Sequence, residues 1–445
     1  MNIRELSLDV LMKVLEKGEY SSVVLPQVLS NYQYLEKQER AFFTRLTEGT
    51  MERAVELDYV INQFSKTKVK KMKPLIRTLL RMGVYQILYM EQVPDRAACN
   101  ESVKLAQKRG FHQLKGFVNG VLRNIARNKN QLEYPNPQKE RQLYLQVKYS
   151  MPEWIVALWL EQYGEELTET MLAAMFTERK TSIRCQLQNA SVAQVVESLQ
   201  EQKVTVEAGA YVDAALQISA YDYLQQLEAF QKGWFVVQDE SSMLVALASQ
   251  VKEESFVVDV CSAPGGKSMH MADLMQGTGQ ISARDLSLHK IQKIEENCRR
   301  LGIHNLTTKV QDGTILDESI LEQADVVIAD VPCSGLGVMG KKNDIKYKAS
   351  KEGMEQLVAL QRQIVSNAVK YLKPGGILIY STCTVNKKEN QENVKWIVEE
   401  FGLTLESLDS GIPESLQSDT TAQGFLQLYP GIHSTDGFFL AKLKK

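Results

Sequence analysis

The chain has 445 residues, 44% of them hydrophobic and 24% charged, which is too long for one ordinary core and suits two or three domains that each bury their own interior. It has no apolar run near the roughly 18 residues needed to span a bilayer and no charged-then-apolar leader at Met1, so a cytoplasmic protein without a membrane partner is expected. The net charge of −2 conceals an asymmetry: residues 66–129 hold 15 Lys/Arg against three Asp/Glu, a +12 segment in a remainder of −14, the balance expected of a region that meets a polyanion.

Residues 1–130 read as successive helices. In Lys73-Pro74-Leu75 the proline suits a first helical turn, and Ile76, Leu80, Val84, Ile87 and Leu88 then form one apolar stripe that ends before Pro94. A second helix is expected from Asp95, read as its N-cap. A third turns Val118, Leu122 and Ile125 inward, while Arg123 and Arg127, four residues apart, share another face and are candidate phosphate contacts. The stretch 128–138, rich in Asn and Gln and holding two prolines, is the expected domain boundary.

Residues 139–230 are expected to hold linker helices and a small α/β module, with strands at 182–187, 204–207 and 214–218 and a helix at 191–200. Residues 231–445 repeat strand, loop and helix. Strands of the buried type are expected at 256–260, 280–284, 307–310, 325–329, 376–380 and 438–443, the pattern of a doubly wound, Rossmann-like α/β domain. In such folds ligands lie beyond the carboxyl ends of the strands, so chemistry is expected just after each one.

The first of these strands runs into Cys261-Ser262-Ala263-Pro264-Gly265-Gly266-Lys267, a loop dense in small residues that leads to a helix. A P-loop would need glycine where Cys261 stands, and no GxGxxG is present, so a nucleoside cofactor packed by its small end against the loop fits better than a bare phosphate. Asp285, about twenty residues on at the next strand end, stands where an acid reaches ribose hydroxyls, and Asp312, after the third strand, could accept from an adenine amino group. The fourth and fifth strands deliver Asp330-Val331-Pro332-Cys333-Ser334-Gly335 and Ser381-Thr382-Cys383.

Two thiols just past neighbouring strands, one near an aspartate, suit pyrimidine C5 chemistry. Cytosine C5 is a poor nucleophile, and a thiolate adding to C6 pushes electron density onto it. Asp330 is placed to assist at N3 as charge develops, and a second thiol could help release the product. The residues alone do not say which cysteine attacks. The six cysteines include no CxxC pair and no His at zinc spacing, so reduced thiols and no metal are expected. Two other readings stand beside this one. One is a non-catalytic RNA-binding or antitermination factor with a relic α/β domain. The other, methylation of a protein glutamine beside an Asn/Asp-Pro-Pro-Tyr motif, fails because the fourth strand ends in Asp-Val-Pro-Cys.

These motifs resemble the RsmB/Sun (Fmu) methyltransferases of the NOL1/NOP2/Sun group over nearly the whole chain. The resemblance also rests on Gln238-Asp239-Glu240-Ser241-Ser242 and Asp436-Gly437-Phe438-Phe439, and in the helical part on Leu57-Asp58-Tyr59-Val60-Ile61, Leu80-Arg81-Met82-Gly83-Val84-Tyr85-Gln86 and Phe117-Val118-Asn119-Gly120-Val121-Leu122-Arg123, which are similar to a NusB-like RNA-binding domain. It implies a monomeric enzyme that transfers a methyl group from S-adenosylmethionine to C5 of a cytosine in 16S ribosomal RNA through a cysteine–C6 adduct. By the same likeness Cys383 is the nucleophile, Cys333 serves product release, and Cys261 to Lys267, Asp285, Asp312 and Asp330 line the cofactor site. Ser262 for the usual alanine, Thr384 for the usual serine, and Arg284 just before the ribose acid depart from the pattern.

Overall fold

The computed structural model describes residues 2–32, 35–177 and 180–445. The chain opens with α1 (Ile3–Leu11), α2 (Ser21–Asn31), α3 (Lys37–Glu52), α4 (Ala54–Phe64), α5 (Pro74–Tyr89), α6 (Asp95–Lys108), α7 (Lys115–Asn128), α8 (Arg141–Lys148) and α9 (Glu153–Ala174). Pro74 occupies the first position of α5, where its missing N–H costs nothing. Of the expected stripe, Ile76, Leu80, Val84 and Ile87 are buried and Leu88 is half-buried; Leu79, Met82 and Tyr85 are buried too, so α5 is enclosed on nearly every side. Asp95 is not the N-cap of α6; Pro94 is, and Asp95 lies in the first turn, where its charge meets the positive helix end and Lys129 at 2.9 Å. In α7, Val118, Leu122 and Ile125 are buried as expected, with Val121 beside them.

The irregular stretch 128–138 ends α7 without ending the compact unit. Glu169 of α9 accepts from Arg141 (2.6 Å) and Lys148 (3.1 Å) of α8, and the Ser150 hydroxyl after α8 accepts from Val55 N of α4 at 3.1 Å. These bonds tie the two linker helices to the others, and the unit runs to Phe176 and takes in Met339–Ala349. The Pro- and Asn-rich stretch leads from α7 into these two helices.

The second unit covers Thr177–Val338 and Ser350–Lys445. It begins with β1 (Thr181–Cys185), α10 (Val192–Glu201), β2 (Thr205–Ala208), β3 (Ala215–Ser219), α11 (Glu228–Gln231) and β4 (Phe235–Val237). The antiparallel sheet runs β2-β3-β1-β4, the split βαβ arrangement, around Ile183, Leu199, Ile218 and Phe235. Then come α12 (Glu240–Ser249), β5 (Phe256–Asp259), α13 (Gly266–Leu274), β6 (Gln280–Asp285), α14 (Leu288–Leu301), β7 (Leu306–Val310), β8 (Ala324–Asp330), α15 (Ile345–Lys348), α16 (Lys351–Tyr371), β9 (Leu372–Thr382), α17 (Gln391–Phe401), β10 (Thr404–Leu405), α18 (Asp419–Ala422), β11 (Phe425–Leu428) and β12 (Phe438–Lys444).

The larger sheet runs β10-β12-β9-β8-β5-β6-β7, with β11 also paired to β12. Strands β5 to β9 pair in parallel, and β12 is antiparallel to β9. The order reverses between β5 and β8, which opens a crevice at their carboxyl ends. One face packs Val257, Ile281, Ile328 and Ile379 against α12 and α13; the other packs Val258, Val327, Leu378 and Tyr380 against α16 and α17. Among the described residues no helix is long and apolar enough to cross a membrane.

Candidate active site

Strand β5 ends at Asp259, a fully enclosed carboxylate that accepts from Ser268 Oγ at 2.5 Å; burial pushes it up to about 6, against the pull of that hydroxyl. The turn that follows reverses at Gly265 with φ +102, where an added Cβ would lie 2.5 Å from Met269 Cε, so only glycine fits. At Gly266 such a Cβ would meet the Gln238 side chain at 3.5 Å, an ordinary contact. Cys261 is not a nucleophile in waiting, because burial and the nearby Asp259 raise its thiol far above the ordinary range.

Asp285 is the last residue of β6, in register with Val310 of β7. Its Oδ2 accepts from Ala263 N at 3.1 Å and its Oδ1 from Lys290 Nζ at 2.9 Å, so it joins the small-residue loop to the next strand end. The preceding Arg284 turns to the opposite side, where it bonds Ser282 Oγ (3.0 Å) and Asp317 (3.0 Å); this explains the unusual residue without shifting the strand. Asp312, past β7, accepts from Thr314 N (2.8 Å) and Oγ1 (2.7 Å), bonds that lower its carboxyl. Sequence reasoning missed Leu286, next to Asp285, and Ile315, three residues after Asp312, which are 64% and 61% exposed. Apolar side chains left in water near two acids beyond strand ends, a loop of small residues and a buried carboxylate at a strand end fit the adenosyl and methionine parts of S-adenosylmethionine.

Strands β8 and β9 are parallel neighbours, with Asp330 opposite Ser381. Asp330 accepts from Lys267 Nζ at 2.7 Å and Ser381 Oγ at 2.8 Å. Just beyond, the sulfurs of Cys333 and Cys383 stand 3.3 Å apart, both half-buried and neither in a disulfide. Burial alone would lower Lys267, but Asp330, Asp259 and the charge of Cys383 hold its ammonium above the ordinary value. Cys333 is raised well above the thiol range by its hydrogen bond to Cys383, by burial and by the charges of Cys383 and Glu389.

The remaining motifs frame this pair. Gly437 N donates to Gly337 O at 3.0 Å, and Gly337 N to Cys383 O at 3.1 Å, a stack too close for any side chain. Asp239 caps α12, accepting from Ser241 N at 3.1 Å, and Glu240 accepts from Tyr211 N at 2.7 Å, joining the smaller sheet to the larger. Missed entirely was Glu389, which no periodicity or spacing marks; its carboxylate lies beneath the Cys333 loop.

In the helical unit Arg123 and Arg127 are exposed and in no salt bridge among the described residues, and Arg123, Lys104, Lys115, Asn100 and Asn119 line a surface hollow of about 420 Å³. The charge excess is partly internal, however: Arg77 and Arg81 bond Glu16 and Asp58, and Lys108 and Arg109 bond Glu5 and Asp9.

Three family models match this chain: the NusB family over residues 1–127, the RsmF/B-like ferredoxin-like domain over 151–229, and 16S rRNA methyltransferase RsmB/F over 245–444. The probable ribosomal RNA small subunit methyltransferase B of Bacillus subtilis is 34% identical, with 100% of this chain and 99% of that protein aligned. That of Synechocystis is 31% identical, with 100% of both aligned. Among solved structures, that titled PH0851 has a TM-score of 0.84 at 26% identity, covering 100% of this chain and 98% of its own. NSun6 from Pyrococcus horikoshii, solved with SFG, has a TM-score of 0.59 at 23% identity over 65% of this chain and 97% of its own, a likeness of fold. With its parallel sheet, its crevice and a relative this similar along its whole length, the chain belongs to the RsmB/F family of 16S rRNA methyltransferases.

Proposed function

We propose that this protein methylates C5 of a cytosine in 16S ribosomal RNA, with S-adenosylmethionine as donor, Cys383 as nucleophile and Cys333 as the group that releases the product. The observation that carries the reading is the pair of sulfurs 3.3 Å apart at the ends of two adjacent strands, beside Asp330 and Lys267. When bound, the donor supplies an electrophilic methyl group. Its pocket comprises the loop from Cys261 through Ser262, Ala263, Pro264, Gly265 and Gly266 to Lys267, with Asp285, Asp312 and Asp330. The proposal is of an enzyme that acts as a monomer in the cytoplasm, where its ribosomal RNA substrate is made.

The Cys383 thiolate adds to C6, forming the S–C6 bond and moving the C5–C6 π electrons toward C5. As electron density builds on the ring, N3 takes a proton from solvent and returns it when the S–C6 bond breaks; Asp330, a carboxylate that already accepts from Lys267 and Ser381, has lone pairs left to accept from that N3–H. Once Cys383 is a thioether it carries no charge, and Cys333 loses the largest influence holding its proton, which passes to solvent. The Cys333 thiolate then takes the C5 proton; the C5–H electrons restore the C5–C6 double bond, and the S–C6 electrons return to Cys383.

The test is methyl transfer from labelled donor to 16S ribosomal RNA, with the product base identified. Cys383→Ala is expected to lose activity by on the order of 10⁴-fold or more. Cys333→Ala is expected to retain the RNA as a covalent complex that migrates slowly on a denaturing gel. Adduct with Cys383→Ala and none with Cys333→Ala would exchange the two roles, and full activity in both would remove the mechanism.

A further inference from the structure

We propose that Glu389 is a positioning residue for this reaction: its buried carboxylate clamps the Cys333 loop to the Cys383 loop, and its charge determines which of the two touching sulfurs keeps the proton. The inference rests on the assignment of the two cysteines above and adds a group outside the reacting atoms.

Glu389 lies on the loop between β9 and α17 and is 0% exposed. Four donors converge on its two oxygens. Ser334 N and Gln361 Nε2 reach Oε2 at 2.9 Å each, and Ser334 Oγ (2.5 Å) and Asn386 Nδ2 (3.0 Å) reach Oε1. Two of the four belong to the residue after Cys333. Gln361 also donates to Pro332 O at 2.9 Å, so the residues on both sides of Cys333 are held by one carboxylate and its partner.

The same network reaches the other cysteine. Ser334 Oγ is 2.8 Å from Thr384 Oγ1, and Asn390, next to Glu389, donates to Thr384 O at 3.0 Å and accepts from Thr382 Oγ1 at 2.6 Å. Tyr380 OH and Asn393 Nδ2 donate to the Glu389 carbonyl at 2.5 and 3.3 Å. The residues before and after Cys383 are thus fixed to the base that fixes Cys333. A separation of 3.3 Å between sulfurs on different loops needs such a common anchor, since a small shift of either loop would part them.

Charge adds direction to position. The groups facing the pair are Glu389 on the loop after β9, Tyr380 on β9, Arg362 on α16 (toward Tyr380), Lys267 on α13 and Asp330 on β8. The Glu389 anion acts on Cys333 and the Lys267 cation on Cys383. Opposite charges on the two sides of a shared proton place it on the sulfur nearer the anion, which frees Cys383 to attack.

The test reads alkylation of each cysteine by iodoacetamide against pH in the full-length protein, under single-hit conditions and with sites located by mass spectrometry. In the wild type Cys333 is expected to react only at more alkaline pH than Cys383. In Glu389→Gln the Cys333 midpoint is expected to fall by about one pH unit, a roughly tenfold gain in reactivity below it. Glu389→Asp keeps the charge on a shorter arm, so the midpoint stays while turnover falls at least several-fold. An unmoved Cys333 midpoint in a folded Glu389→Gln protein overturns the charge role. Wild-type turnover in Glu389→Asp overturns the clamp, and this arm decides if Glu389→Gln does not fold. Alkylation does not depend on methyl transfer, so an active Cys383→Ala enzyme would refute the cysteine assignment and leave this measurement readable.

Discussion

At the cofactor end of the site a single carboxylate does two things. Asp285 holds the small-residue loop through Ala263 N and stands at the strand end where a ribose would lie, with Lys290 across its other oxygen. Asn at this position keeps one acceptor but loses the charge that a ribose hydroxyl would meet. A hydrogen bond to a charged group is worth about 1.5–3 kcal/mol, so Asp285→Asn is expected to weaken S-adenosylmethionine binding by roughly 10- to 100-fold in calorimetry. RNA affinity should be unchanged in the same variant. Equal cofactor affinity would take the ribose role from Asp285. At this scale the sequence was informative where a strand end fixes a residue's direction, as for Asp285, Asp330, Cys333 and Cys383. It was silent on Glu389, whose surroundings in Lys387-Lys388-Glu389-Asn390 read as an ordinary polar loop; its partners Ser334 and Gln361 lie 55 and 28 residues away.

Elements were legible in proportion to their local period. Four of the five parallel strands emerged within a residue of their expected bounds, while β9 starts at Leu372, four residues early; the central runs of β5 and β8, buried on both faces, have a plain apolar signature. The stripe on α5 is buried as expected, but a stripe records one face and cannot report that Met82 and Tyr85 are covered from other sides. Long-range closure left no local signal either. Met339–Ala349 departs five residues after Ser334 and packs with the helical unit, where Lys346 Nζ donates to Glu52 O (2.6 Å) and Ser150 O (2.8 Å). Burial pulls Lys346 down to about 7. For a lysine depressed in the folded state, the unfolded chain binds more protons between that value and the ordinary one, so stability should rise with pH from about 7 to about 10. Lys346→Met removes this rise and leaves two carbonyls without a donor, a loss of roughly 1–3 kcal/mol measured by urea unfolding at neutral pH. A variant with the wild-type pH dependence would locate the titration elsewhere.

A second element-scale prediction concerns the glycine stack over Cys383. A Cβ on Gly337 would lie 2.0 Å from Gly437 O and 2.8 Å from Cys383 O, both backbone atoms that cannot swing aside. Gly337→Ala is therefore expected to lower stability by roughly 1–3 kcal/mol. Because the displaced backbone is that of the proposed nucleophile, turnover should fall with KM for RNA nearly constant. A stable variant with normal turnover would mean that the loop relaxes without moving Cys383.

For the whole molecule, the charge asymmetry has to be read after folding. Of the cations between residues 66 and 129, Arg77, Arg81, Lys104, Lys108, Arg109 and Lys129 are spent on acids of the same unit. Arg123 and Arg127 are exposed and unpaired among the described residues, and Arg123 borders a hollow with Lys104 and Lys115. Counterion release then separates the two classes. A cation that replaces a condensed counterion on RNA changes the slope of log K against log salt by about 0.7–0.9, whereas one already neutralised by a neighbouring carboxylate changes it less. Arg123→Glu and Arg127→Glu are each expected to flatten that slope by about one and to weaken 16S ribosomal RNA binding about tenfold near 0.15 M salt. Lys129→Ala, which removes a cation paired with Asp95, serves as the comparison and should alter the slope far less. Cofactor affinity should be the same in all three, since none contributes to the methyltransferase sheet. If the arginine variants keep the wild-type slope, the helical unit meets RNA through another surface, and the exposed lysines at 66, 68, 70, 71 and 73 become the next set to reverse.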